Sequence, residues 1–427
     1  MKRLAIALVI LFALLAGAGV FFFKPAGLDA VKASAAQPSG PALVEKGRYL
    51  ATAGDCVACH TVPGGKPFAG GLAFTLPFGT LYSSNITPDP KAGIGAWSNA
   101  QFVRAMRHGV RGDGKDLYPA FPYTAYAKMS TDDLLAVRAY LASLAPVPAA
   151  PPANDLAFPF NQRFVMRAWK LLFLDDAQIA PQPAQSPEWN RGAYLVEALG
   201  HCGECHTPRN LAYGLSGKKF AGATTQGWKA YNITSDPKSG IGGWSVDQLA
   251  AYLGTGHAEG RGTASGSMAE VVSLSLSHLT PPDLRAIAVY LKSVPPRPSQ
   301  DGEDVDADPP TLARASLAAP APGSAGKGNA LGRRIFASAC AGCHAWNGEG
   351  TPGPDAALRG ARGANDPQAA NMIQVILHGS PRRMPAFGRA YSDAEIAAVS
   401  NYAVHHFGGK TGHVTPKQVA EARAIGH

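Results

Sequence analysis

The chain has 427 residues, long enough for about three domains. Its formal net charge is +9, but no basic run or nucleic-acid motif accompanies that charge, which sets nucleic acid aside as a partner. Glycine (48) and proline (35) are abundant and aromatics make up only 8%, a balance suited to loop-rich domains whose interiors are not filled by side chains alone.

Lys2 and Arg3 precede an apolar run from Leu4 to Phe23. A signal-peptide core usually takes about 7–15 residues, whereas about 20 can span a bilayer. The triplet Ala33-Ser34-Ala35 resembles a cleavage site but lies well beyond the run. Residues 1–32 therefore read as a transmembrane anchor in preference to a removed signal. The basic pair would hold the N-terminus in the cytoplasm and place the rest outside. An Ala/Ser/Pro tether, Ala33–Pro41, follows.

The first domain is expected over 42–146. A helix containing Gly47-Arg48-Tyr49-Leu50 leads into Cys56-Val57-Ala58-Cys59-His60. C-x-x-C-H is the attachment sequence of c-type haem. Two thiols three positions apart on one turn reach the two vinyl groups of one porphyrin, and the adjacent His comes under the iron as its axial ligand. The pattern returns as Cys202-Gly203-Glu204-Cys205-His206 and as Cys340-Ala341-Gly342-Cys343-His344. A redox cysteine pair or a zinc site could explain one copy, but neither requires a His after the second Cys three times. All 6 cysteines are used, which leaves none for disulfides. Three covalent haem c groups are expected, with His60, His206 and His344 on their irons. Their propionates and a docking surface account for the basic balance.

Each domain is expected to close on a second helix with a marked start. Ser130-Thr131-Asp132-Asp133, Thr280-Pro281-Pro282-Asp283 and Ser392-Asp393-Ala394-Glu395 each present a hydroxyl N-cap and a carboxylate three residues on. Apolar stripes at helical spacing follow: Leu134, Val137, Leu141; Leu284, Ile287, Leu291; Ile396, Val399, Tyr402. Opening and closing helices can then cross and cradle the haem.

Between first and second domains, Pro146–Ala153 and Ile179–Pro187 are linker-like. Inside that junction, Arg163, Arg167 and Lys170 fall on one helical face, with Phe164, Val165, Trp169, Leu172 and Phe173 around the remainder. An in-plane membrane helix or a partner-docking helix would look like this, and so would a helix packed between domains. The second domain is expected over 186–296, a linker with an acidic patch over 297–328, and the third domain over 329–410.

The first two domains share a second repeat. Asn85-Ile86-Thr87-Pro88-Asp89-Pro90 through Gly93-Ile94-Gly95-Ala96-Trp97-Ser98 recurs, at constant offset, as Asn232-Ile233-Thr234-Ser235-Asp236-Pro237 through Gly240-Ile241-Gly242-Gly243-Trp244-Ser245. Two readings are open: the Asn amide and the Trp N–H hold haem propionates, or the segment is a turn followed by a packed indole.

A second axial ligand is expected on each electron-transfer haem, and Met raises the potential. Met384, in Met384-Pro385-Ala386-Phe387-Gly388, and Met268, in Gly266-Ser267-Met268-Ala269-Glu270, precede their closing helices. In the first domain the position matching Met268, counted from Trp97, holds Phe121, so Met129 is the candidate there, with an open haem or another ligand as the alternatives. His108, His257 and His378 read as structural. Carbonyls near Pro63, Pro208 and Pro354 are expected to fix the three haem-ligating His rings.

With these motifs assembled, the chain resembles the three-haem cytochrome c subunit of membrane-bound periplasmic dehydrogenases of the alcohol, gluconate, sorbitol, fructose and aldehyde type. The resemblance runs from the Gly47 helix to His406. It rests on the three haem motifs, the repeated N-I-T…G-I-G-x-W-S segment, Leu117–Tyr123, Ser186–Leu195 and Cys205-His206-Thr207-Pro208-Arg209-Asn210. It implies a mainly α chain of three tandem class I cytochrome c-type domains after an N-terminal membrane anchor or signal, on the periplasmic side of the bacterial inner membrane. It also implies electrons entering from a flavin, quinoprotein or molybdopterin catalytic subunit and leaving to ubiquinone or a terminal oxidase. Many members of the family carry Met where this chain has Phe121. No flavin, nucleotide or pyrroloquinoline fingerprint is present, so a catalytic subunit is not expected. An open first haem acting on quinone, peroxide or another small ligand is the alternative function.

Overall fold

In the computed structural model, residues 2–23, 28, 30–35, 37–299, 330–351, 353–380 and 384–425 are described. Most of the acidic linker lies outside them. The chain forms two compact units: Met1–Ala180 with Glu197–His201, and Pro181–Val196 with Cys202–His427. Helices dominate, with short antiparallel hairpins between them.

In the first unit the apolar N-terminal run is helical over Lys2–Phe23. Among the described residues, no helix is long and apolar enough to cross a membrane. The tether is fastened by Gln37, whose side-chain amide donates to the Asp132 carbonyl at 2.6 Å. The opening helix Gly40–Ala53 then crosses the closing helix Thr131–Ser143. Gly47 makes the crossing close: a Cβ there would lie 1.9 Å from the Ala136 carbonyl oxygen. Between the crossed helices run the hairpin Ala73–Leu76/Gly79–Tyr82 and the helix Asn99–His108. Ser98 and Gln101 form a reciprocal capping box at the start of that helix, and Gly109 ends it in the left-handed region.

The same plan recurs twice in the second unit. The helices Pro187–Tyr194 and Pro281–Ser293 cross at Gly192, whose Cβ would meet the Ala286 carbonyl oxygen at 1.9 Å. The helices Ala330–Ile335 and Asp393–Gly408 cross at Gly332, whose Cβ would meet the Ala398 carbonyl oxygen at 2.1 Å. In both, a π-helical turn (Leu195–Leu199, Phe336–Cys340) lies between the opening helix and the cysteine motif. Ser130, Thr280 and Ser392 accept hydrogen bonds from the backbone N–H three residues on, so all three expected N-caps are in place. Around the third repeat, Ile335, Phe336, Val399, Tyr402 and Phe407 form one apolar cluster. A second gathers Ile373, Leu377, Ile396, Val404 and Val419, the last from a final helix Pro416–Ile425.

Two sequence readings change here. The linker-like stretch Pro146–Ala153 is pinned to the first repeat. Buried Val147 donates its N–H to the Thr87 hydroxyl at 3.1 Å, and the stretch leads into a strand, Asp155–Leu156, that extends the hairpin. Proline there removes donors from a segment whose carbonyls, not amides, do most of the bonding. The basic face of the helix Val165–Phe173 points inward. Lys170 and Arg167 pair with the buried Asp116 at 2.5 and 3.1 Å, while Leu171 and Leu172 stay 70% and 75% exposed. Charge pairing with one buried carboxylate outweighs apolar burial in setting the rotation of this helix.

Candidate haem sites

Each C-x-x-C-H sequence forms one tight helical turn: Cys56–Cys59, Gly203–His206 and Ala341–His344. The first two are entered through residues in the left-handed region, Asp55 (φ 50°) and His201 (φ 39°). All six cysteines are free of disulfides. Burial pushes the Cys56 thiol up to about 12 and the Cys340 thiol to about 11. Among the described residues no group of three or more His, Cys, Asp or Glu side chains converges as a metal cluster.

The His rings are the sharpest feature. His60 Nδ1 lies 2.6 Å from the Ser84 carbonyl oxygen, His206 Nδ1 2.6 Å from that of Tyr231, and His344 Nδ1 2.6 Å from that of Ala356. A carbonyl can only accept, so Nδ1 carries the proton in each ring and Nε2 keeps its lone pair. Burial lowers the pKa of all three rings, against the opposing pull of these carbonyls, and Arg362 adds to the lowering at His206. A neutral imidazole of fixed tautomer, beside two cysteines on the same turn, is the donor set that a haem c needs. The residues fit the group in all three copies.

The carbonyls are only partly those expected. Ala356 lies two residues from Pro354. Ser84 and Tyr231 replace carbonyls near Pro63 and Pro208, because the first two repeats insert a hairpin whose returning strand ends beside the ring. The third repeat has a shorter path.

Asn85 and Asn232 are buried and committed elsewhere. The Asn85 amide donates to Val147 O and Ala149 O at 2.8 and 3.0 Å, while its oxygen accepts from the Thr87 N–H and hydroxyl. Asn232 does the same with Ser239 Oγ, Arg297 O and Thr234. The repeated Asn-x-Thr is thus a clamp on the chain leaving the closing helix. The glycines after it permit close approach: a Cβ on Gly93 or Gly240 would lie 2.1 or 2.3 Å from the Thr87 or Thr234 carbonyl oxygen. Trp97 packs on Gly112, whereas the guanidinium groups of Arg261 and Arg362 each lie 5.4 Å from the Trp244 ring. Sequence reading missed Arg362 because it belongs to the next repeat.

The Met candidates differ in setting. Met268 is half-buried in the first turn of the helix Gly266–Leu274, and Met384 is half-buried in a bridge with Ser380. The first repeat matches the second: the Leu117 N–H returns to Gly109 O as the Ala264 N–H returns to Gly256 O, which puts Phe121 at the register of Met268. Met129 is fully buried directly before its N-cap, where the second repeat has the core residue Leu279. His257 Nδ1 lies 2.9 Å from the Thr263 hydroxyl oxygen and His108 pairs with Asp176, both bonds within the local fold.

The cytochrome c family model matches residues 44–145, and the model of cbb3-type cytochrome c oxidase subunit III matches residues 328–402. One subunit of the nicotinate dehydrogenase of Pseudomonas putida is 44% identical over 86% of this chain, which spans only 30% of that protein's length. The gluconate 2-dehydrogenase cytochrome c subunit of Pantoea cypripedii is 39% identical over 90% of both chains. The fructose dehydrogenase cytochrome subunit of Gluconobacter japonicus is 37% identical over 97% of this chain and 88% of its own. The chain belongs to the family of electron-transferring cytochrome c subunits of gluconate, fructose and quinone alcohol dehydrogenases.

Proposed function

We propose that the chain carries three haem c groups, attached at Cys56/Cys59, Cys202/Cys205 and Cys340/Cys343, with His60, His206 and His344 as proximal ligands. They would relay electrons from a dehydrogenase catalytic subunit of flavin, quinoprotein or molybdopterin type to ubiquinone or a terminal oxidase. The observation that carries the reading is the threefold recurrence of a C-x-x-C-H turn whose imidazole is fixed by a carbonyl at 2.6 Å. Bound haem supplies reversible one-electron chemistry. The protein's part would be to hold each imidazole neutral and oriented, to exclude water with the crossed helices, and to offer the thioether sulfur of Met268 or Met384 as a further ligand.

We infer further that the chain works on the periplasmic side of the inner membrane, attached through residues 1–32. The exposed Leu171 and Leu172 offer a second apolar contact. Purification from mildly solubilised native membranes tests the assignment. The expected result is three haems per chain and a large dehydrogenase subunit in the same complex. A lone chain able to reduce or oxidise quinone would overturn it.

For the first haem two ligations compete: Met129, or an open iron. The register favours the open iron, since Phe121 stands where Met268 stands and Met129 occupies a core position. An open site would give the chain a small-ligand activity of its own. Carbon monoxide binding to about one haem in three of the reduced protein is the outcome expected of an open site, and Met129 ligation would abolish it.

A further inference from the structure

The second and third repeats share one unit, and the third places a side chain inside the second. Arg362 opens the short helix Arg362–Asn365. Its Nη1 donates to Asn232 O at 3.0 Å and its Nη2 donates to Gly240 O. The guanidinium lies 5.5 Å from the Tyr231 ring and 5.4 Å from the Trp244 ring. Tyr231 supplies the carbonyl that holds His206, and Asn232 is the next residue, so Arg362 grips the backbone directly beside the proximal His.

The contact is built for this. A Cβ on Gly360 would lie 2.2 Å from Gly260 O, and one on Gly262 would lie 2.6 Å from Ala361 Cα, so glycines let the two backbones meet. Lys229 and Asn371 exchange hydrogen bonds at 2.8 and 2.9 Å. Asp366, fully buried, receives Lys229 at 3.3 Å and the Tyr231 hydroxyl at 3.4 Å. Arg261, from the second repeat itself, adds another guanidinium to Trp244 and donates to Gly243 O.

We propose that Arg362 is a positioning residue of the second haem site, supplied by the third repeat, and that its fixed positive charge makes the second haem easier to reduce. The inference rests on haem attachment at Cys202–His206. One-electron reduction takes Fe(III) to Fe(II) without making or breaking a bond, and removes one positive charge from the iron. A cation held in the adjacent low-dielectric wall is repelled less by the reduced state, so it shifts the equilibrium towards reduction. Docking of the third repeat and the potential of the second haem are thereby tied through one side chain.

The test is a spectroscopic redox titration of the full chain, using dithionite and ferricyanide, in wild type and in Arg362→Gln, Arg362→Lys and Arg389→Gln. Arg389 is exposed on the third repeat, and its substitution removes the same formal charge. Arg362→Gln is expected to lower the reduction equilibrium constant of one haem about tenfold, about 59 mV for one electron. The other two haems should stay in place, and Arg362→Lys and Arg389→Gln should remain near wild type. Adding Cys202→Ser and Cys205→Ser should abolish the shift with the haem that carries it. Unmoved potentials at full haem content, an equal shift from Arg389→Gln, or a shift that persists without the second haem would each overturn the proposal. If Arg362→Gln sheds the haem, Arg362→Lys decides: a tenfold fall despite retained charge refutes the electrostatic role, and a wild-type potential supports it. Wild-type protein with an unmodified Cys202–Cys205 peptide by mass spectrometry would instead refute the attachment reading.

Discussion

At the residue scale, buried polar groups divide into those that build the fold and those that face the cofactor. Asn232 is of the first kind: its amide and oxygen are used within the clamp formed with Ser239, Arg297 and Thr234. Asn232→Ala leaves several buried groups without partners and should cost about 2–4 kcal/mol, read by thermal or denaturant unfolding. Haem potentials in the folded protein should hardly move. Trp244→Phe removes the indole between Arg261 and Arg362. A variant with unaltered haem retention and potential would exclude the indole N–H as a propionate donor. Phe121→Met restores sulfur at the register of Met268. Its expected signature is a Met-to-iron charge-transfer band on the first haem, a higher potential and loss of carbon monoxide binding. The capping residues and the motif itself were legible because each acts within one turn of chain. The role of Asn232 was not, since its partner Arg297 lies beyond the closing helix.

At the element scale, the crossing of opening and closing helices is the repeated unit, and one glycine sets its distance each time. Gly192→Ala puts a methyl group against Ala286 O, where a Cβ would lie at 1.9 Å, and the helices must part. Loss of about 1–3 kcal/mol, with weakened haem retention at the second site, is the expected outcome in a denaturation series. The helix Val165–Phe173 obeys a different rule. Its rotation is set by Asp116, which receives both Lys170 and Arg167. Asp116→Ala leaves two half-buried cations without their buried carboxylate and should destabilise the first unit by about 3–5 kcal/mol. Limited proteolysis should then cut within residues 163–173 before any other helix.

At the scale of the whole molecule, the fold repeats a small scaffold and varies what surrounds each haem site. Among its described residues the third repeat has no hairpin like those of the first two, and its His is held by Ala356. The second borrows Arg362 from its neighbour. The first has Phe at the Met register. Haem attached at all three sites, as proposed, would make three chemically distinct groups, and a redox titration of the intact protein should then resolve three components rather than a single wave.

The amino-acid sequence alone determined the cofactor class, the number of expected sites, the helix starts and the family, because each is written in residues that act within a few positions of one another. Spacing on one turn is enough to specify thioether attachment, and a hydroxyl followed by a carboxylate is enough to start a helix. Tertiary structure alone decided which carbonyl fixes each His, which way the basic helix turns, and that Arg362 lies beside His206. Those outcomes depend on close approach between segments far apart in the chain. They are set by where glycines let backbones meet and where a buried carboxylate draws in cations, and no local pattern records either.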